Sequence, residues 1–121
     1  MRILLIGKNS LQNDAIQKLL SVPQGWNIEQ ITPSNLEHQT VTTKEQFALS
    51  LLDLSSCLDR CKEVITKIHR MKVSAKLAVI FDSHSEELLN SLRNYGVDEY
   101  LSIEWEPDKF IRTISKLGNS E

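Results

Sequence analysis

Asp53 closes a segment, Phe47 to Leu54, that is otherwise apolar apart from Ser50. A carboxylate at the end of a buried strand can attack a phosphoryl group, ligate a metal, or simply meet solvent. Ser55 and Ser56 follow it. A second apolar run, Leu77 to Phe81, leads into Asp82 and Ser83, and a third, Ile3 to Ile6, leads into Gly7, Lys8 and Asn9. Gly7-Lys8-Asn9-Ser10 fails as a nucleotide phosphate loop. Arg2 stands where the first glycine of G-x-x-x-x-G-K-[ST] belongs, and Asn9 follows the lysine. No G-x-G-x-x-G supports dinucleotide binding. Cys57, Cys61 and His69 lack zinc-ligand spacing and a second ligand pair, so Cys61 reads as a small hydrophobe on a helical stripe. His38 and His84 are isolated loop residues, and no Ser/His/Asp or Cys/His arrangement can be assembled.

Those residues need elements to hold them. The chain has 121 residues, enough for one domain with a real core, and residues 118–121 read as a tail or the start of a linker. A hydrophobic share of 40% with 25% charged residues excludes low-complexity and disordered classes. A net charge of −2 provides no electrostatic footprint for nucleic acid. No apolar run approaches the roughly 18 residues of a membrane span, and Ile3 to Ile6 is too short for a signal-peptide core. Two cysteines are too few for a disulfide framework. A soluble cytoplasmic protein is expected.

Apolar runs and helical stripes alternate. Ile3–Ile6, Trp26–Thr32, Phe47–Leu54, Leu77–Phe81 and Tyr100–Ile103 read as strands. Helices are predicted from about Leu11 to Leu20, with Ser10 as N-cap, and from Cys57 to Met71. A third carries Leu88, Leu89 and Leu92, opened by a Ser83/Glu86 capping box and ended by Gly96. A last helix starts at Pro107 and buries Phe110, Ile111, Ile114 and Leu117. The polar stretch Pro33 to Gln46 is expected to hold a short helix. Five β-α units in this length predict a parallel sheet in a three-layer, flavodoxin-like sandwich of order 2-1-3-4-5. Function then belongs at the carboxyl ends of strands 1, 3 and 4.

At this point the sequence resembles the bacterial response-regulator receiver domains, the CheY-like family. Leu51-Leu52-Asp53-Leu54 is similar to their third strand, Gly96-Val97-Asp98-Glu99-Tyr100-Leu101 to their turn into the fifth, Glu106-Pro107 to the start of their last helix, and Arg2 to Ile6 to their first strand. The resemblance implies that Asp53 holds the phosphoacceptor position. It also implies an acidic pair after strand 1 for Mg²⁺, a Ser or Thr ending strand 4, and a Lys ending strand 5. The chain departs at all three: Gly7 and Lys8 replace the acidic pair, Phe81 followed by Asp82 the hydroxyl, and Ile103 followed by Glu104 the lysine. Mg²⁺ wants hard oxygen ligands, which an ammonium cannot be. Losing the metal or a phosphoryl donor should each cost about 10²-fold in phosphotransfer. A Lys8–Asp53 ion pair in the metal's place is one expectation; the alternative is that Lys8 reaches solvent.

The resemblance therefore implies a degenerate member, a pseudo-receiver. It would be a non-enzymatic module of a bacterial signalling or transcription-regulating protein, without metal or cofactor. It would act through a protein partner or a second copy at the face of the fourth helix, fifth strand and fifth helix, with no direct nucleic-acid or membrane contact. Arg93, Tyr95, Tyr100, Trp105, Lys109 and Arg112 mark that face, although Trp105 can equally cap the pocket. Two alternatives stand beside it. One is a working two-component phosphoacceptor, with Asp82, Asp14 or Glu104 supplying oxygens to a metal. The other is a small-ligand-binding flavodoxin-like domain with an open apolar pocket at the switch point.

Overall fold

Ile3, Leu4, Leu5 and Ile6 are all essentially sealed from solvent, so the first strand is covered on both faces, as its unbroken apolar sequence requires. The computed structural model describes residues 1–22, 24–36 and 47–119. Its strands are β1 (Arg2–Ile6), β2 (Asn27–Ile31), β3 (Phe47–Asp53), β4 (Ser74–Phe81) and β5 (Glu99–Ser102). They form one parallel five-stranded sheet in the order β2-β1-β3-β4-β5, the predicted order. The described helices are α1 (Leu11–Ser21), α2 (Cys61–Arg70), α3 (Leu88–Ser91) and α4 (Pro107–Asn119). None is long and apolar enough to cross a membrane.

Two cores flank the sheet. On one side α1 and α4 bring Ile16, Leu20, Phe110 and Ile114 against Ile3, Leu5, Leu51 and Ile80. On the other α2 brings Val64, Ile65 and Ile68 against Leu4, Ile6, Leu52 and Val79, with Leu88 and Leu89 of α3 alongside. Neighbouring residues of β1 thus go to opposite cores, as the two-residue period of a strand demands.

Several boundaries differ from the sequence expectation, each for a local reason. The predicted Cys57–Met71 helix is interrupted: 3₁₀ turns occupy Leu54–Ser56 and Leu58–Arg60, and α2 starts only at Cys61. Asp53 caps the first of these turns, accepting the Ser55 N–H at 3.1 Å. β4 starts three residues early because Ser74 pairs with Phe47, and its hydroxyl accepts a 2.7 Å bond from Ser50. β5 sits one residue earlier than expected. Asp98 anchors its entry, donating its N–H to the Leu77 carbonyl and accepting the Leu77 N–H, both at 2.8 Å.

The predicted helix around Leu88 to Leu92 shrinks to the four residues of α3, and its Ser83/Glu86 capping box does not form. Asp82 takes the capping work by accepting the N–H groups of His84 and Ser85, at 2.9 and 3.0 Å. Gly96 lies beyond the helix, at φ +76°, where a Cβ would come 2.8 Å from His69 Nε2. α4 runs through Gly118 to Asn119, two residues into the predicted tail, and a Cβ on Gly118 would overlap the Met1 thioether. Within Pro33 to Gln46, a 3₁₀ turn spans Pro33–Asn35; residues 37–46, with His38, lie outside the described residues.

Candidate functional site

Parallel strands aim their carboxyl ends at one rim, and register sets which residues meet there. Ile6 pairs with Leu52, so Gly7 and Asp53 lie side by side where β1 and β3 end. Gly7 makes their approach possible: a Cβ there would come 3.1 Å from Asp53 Cβ and 2.7 Å from Asn13 Nδ2. Asn13 reaches this point from the first turns of α1, whose start is fixed by Ser10 Oγ accepting the Asn13 N–H at 3.1 Å.

The Asp53 side chain is 2% exposed and fully engaged. Oδ1 accepts the Ser55 N–H at 3.1 Å and the Ser55 hydroxyl at 2.7 Å. Oδ2 accepts Asn13 Nδ2 at 3.1 Å and the Ser56 hydroxyl at 2.9 Å. A carboxylate offers about four lone-pair positions, and here each oxygen meets two donors from its own chain. Asn13 is wholly buried and its second amide proton goes to the Lys8 carbonyl at 2.8 Å. That arrangement fixes the amide's orientation, since the reversed one would face its oxygen onto two acceptors. Asn13 Oδ1 has no hydrogen-bond partner among the described residues.

Lys8 takes part through its backbone. Its N–H donates to Ser56 Oγ at 2.8 Å, and its carbonyl also accepts Gln30 Nε2 at 3.2 Å. The expected Lys8–Asp53 ion pair does not form; the Lys8 side chain is exposed.

The other pocket positions fall as follows. Phe81, the last residue of β4, is half-buried in the α2-side core. Asp82 turns into its own exit loop. Burial, the largest single influence, raises its pKa, but the Ser85 hydroxyl and the N–H groups of Ser85 and His84 together hold it below the usual value. Ile103 lies past the end of β5 against the α1/α4 core, its N–H on the Phe81 carbonyl at 3.0 Å. Glu104 is exposed, and its N–H meets Ser102 Oγ at 3.1 Å. Among the described residues no three His, Cys, Asp or Glu side chains gather closely enough to hold a metal ion.

Cys57 and Cys61 are free and buried, each thiol 3.7 Å from the Leu54 carbonyl. The neighbouring Cys61 sulfur, and then burial, push the Cys57 thiol far above its ordinary range, which keeps it an inert thiol.

The residues named for an interaction face divide between two sides. Tyr100 is half-buried against the α2-side core. Trp105 packs on the α1/α4 side, with Lys109 Nζ 4.2 Å from its ring centroid. Arg93, Lys109 and Arg112 are exposed. Tyr95 belongs with α2: Lys62 Nζ lies 5.5 Å from its ring, and His69 Nε2 donates to its carbonyl at 2.8 Å.

Asn13 is the functional residue that sequence reasoning missed. In α1, Ala15 is exposed and the buried positions are Asn13, Ile16 and Leu20. An amide on a helix's buried face, three residues past an N-cap serine, is the signal that marks it.

No family model matches the chain, and no curated protein sequence does. Solved structures do match. The N-terminal signal receiver domain of a two-component response regulator from Bacteroides fragilis superposes at TM-score 0.81 and 17% identity, covering 99% of this chain and 98% of that one. A CheY-like receiver domain protein from Methanospirillum hungatei JF-1 gives 0.79 and 21%, covering 98% and 93%. A LuxR family DNA-binding response regulator from Silicibacter pomeroyi gives 0.74 and 22%, covering 100% and 94%. The chain has the fold of response-regulator receiver domains.

Proposed function

We propose that this chain is a pseudo-receiver, a signalling module that keeps the receiver fold and works without phosphorylation or enzymatic activity of its own. The observation that carries this reading is the saturated Asp53 carboxylate. All four contacts that a metal or a phosphoryl group would need to replace are made by Asn13, Ser55 and Ser56. The residues at the rim do not fit Mg²⁺. Gly7 and Lys8 offer no carboxylate after β1, and Lys8's own carbonyl is taken by Asn13 and Gln30. Phe81 and Ile103 stand where a hydroxyl and an ammonium would steady a phosphoryl oxygen, and neither side chain can hydrogen-bond. Output then runs through protein contacts, with a partner protein or a second copy, across α3, β5 and α4 around Tyr100, Trp105 and Lys109. Half-buried aromatics beside exposed cations have the composition of an interface rim.

An NMR titration with Mg²⁺ followed by beryllofluoride, which mimics an aspartyl phosphate, tests the reading. The amides of Asp53, Ser55, Ser56 and Tyr100 are expected to stay in place. Shifts that cluster at Asp53 and run on to Tyr100 would overturn it in favour of a phosphoacceptor switch.

A further inference from the structure

Beside the Asp53 cluster, a cavity of about 460 Å³ opens between the ends of β2, β1 and β3 and the side of α2. Among the described residues it is lined by the cations Lys8, Arg60 and Lys67 and by the carboxylate of Glu63, which lies 3.4 Å from Arg60. The chain as a whole carries a net charge of −2, whereas the described residues of this lining carry more positive than negative side chains. Three hydroxyl residues, Thr32 and Ser34 (their oxygens 3.1 Å apart) and Ser56, share the lining with Pro33, Cys57 and Val64.

We propose that this cavity binds a phosphorylated small molecule, held by Lys8 and Arg60. An excess of cations, a guanidinium fork and converging hydroxyls suit a phosphate dianion with several acceptor oxygens better than a single carboxylate. The volume is that of a small-ligand site, and a chain of net negative charge disfavours a long polyanion such as nucleic acid. Ser56 joins this cavity to the Asp53 cluster. Its hydroxyl lines the cavity, donates to Asp53 Oδ2 and accepts the Lys8 N–H. A bound phosphate oxygen that draws the Ser56 proton competes with Asp53 for it. Occupancy would thus reach the receiver rim through one hydroxyl and give the module an input other than phosphorylation.

The test is an NMR titration of the full chain with inorganic pyrophosphate and, separately, adenosine diphosphate, at constant ionic strength and without Mg²⁺ or beryllofluoride. Saturable shifts with either probe, centred on the amides of Lys8, Ser56 and Arg60, are expected. The Lys8→Glu/Arg60→Glu variant should weaken binding at least about tenfold, or about 1.4 kcal/mol. Both side chains are exposed, so the variant should fold. Absent shifts, shifts spread over every basic surface, or equal binding by the variant would overturn the proposal. Because no phosphate mimic of Asp53 is present, such a failure leaves the pseudo-receiver reading standing.

Discussion

Gly7 carries more of the rim than any side chain around it, because its missing Cβ is what lets Asn13, Asp53 and Ser56 meet. An added methyl group would lie 2.7 Å from Asn13 Nδ2 and 3.3 Å from Ser56 Oγ, and both atoms are tied to the buried carboxylate. Gly7→Ala should therefore destabilise the fold by about 1–3 kcal/mol, the usual cost of overfilling a packed site. Lys8→Ala next door should change stability by no more than about 0.5 kcal/mol, since its side chain is exposed. Urea unfolding of the two variants checks the contrast. Asp82 supplies a pH dependence whose sign follows from its bonds. Burial pushes its carboxyl up, but the bonds from Ser85 and His84 outweigh that and hold it below the ordinary aspartate value in the folded chain. Its contribution to stability is complete above that value and is lost as pH falls through the lower folded one. Asp82→Asn should flatten the acid limb of the stability profile below about pH 4, as read by urea midpoints against pH.

At the scale of elements, α2 ends in a way the sequence does not advertise. Lys72 adopts φ 51°. Its N–H bonds the His69 carbonyl at 3.2 Å, and Val73 bonds the Ile68 carbonyl at 3.3 Å. Those two bonds are a Schellman ending, which normally places glycine at the left-handed position. Lys72→Gly should stabilise the domain by about 0.5–1 kcal/mol by removing the Cβ penalty, measurable as a raised urea midpoint. The inner strands were legible because a sheet covered on both faces needs continuous apolar runs, while β2, with burial alternating along Asn27–Ile31, was legible from its period-2 pattern. The helix after β3 was misjudged because its apolar stripe continues back to Cys57. Asp53 caps the Leu54–Ser56 turn by accepting Ser55, a bond that hydrophobic periodicity does not register, and the Leu58–Arg60 turn that follows has no side-chain cap.

For the molecule as a whole, the strand order decides what can meet. Placing β1 between β2 and β3 brings Gly7, Asp53 and the Thr32–Ser34 segment to one rim, although they are far apart in the chain. The same order leaves β5 at an edge, where Tyr100 and Trp105 serve opposite cores. The Mg²⁺ and beryllofluoride titration belongs to this scale, because it asks whether a change at Asp53 travels across β4 to β5. Under the proposed pseudo-receiver reading, a carboxylate already bonded by its own chain leaves such a change without a starting point.

The alternation of apolar runs and helical stripes was enough to determine the five parallel strands, their order and the rim that holds Asp53. The resemblance to receiver domains, not the alternation, marked Gly7, Lys8, Phe81 and Ile103 as departures from that family's pattern, because a side chain's chemistry is visible in the residue itself. Tertiary structure alone decided where each hydrogen bond goes. Asn13 lies 40 residues from Asp53, and only the docking of α1 against β1 and β3 brings its amide to that carboxylate. The side of the chain on which Lys8 emerges was settled the same way. The Lys8 side chain is exposed, and the ion pair that charge alone would suggest gives way to two hydroxyls, an amide and a backbone N–H.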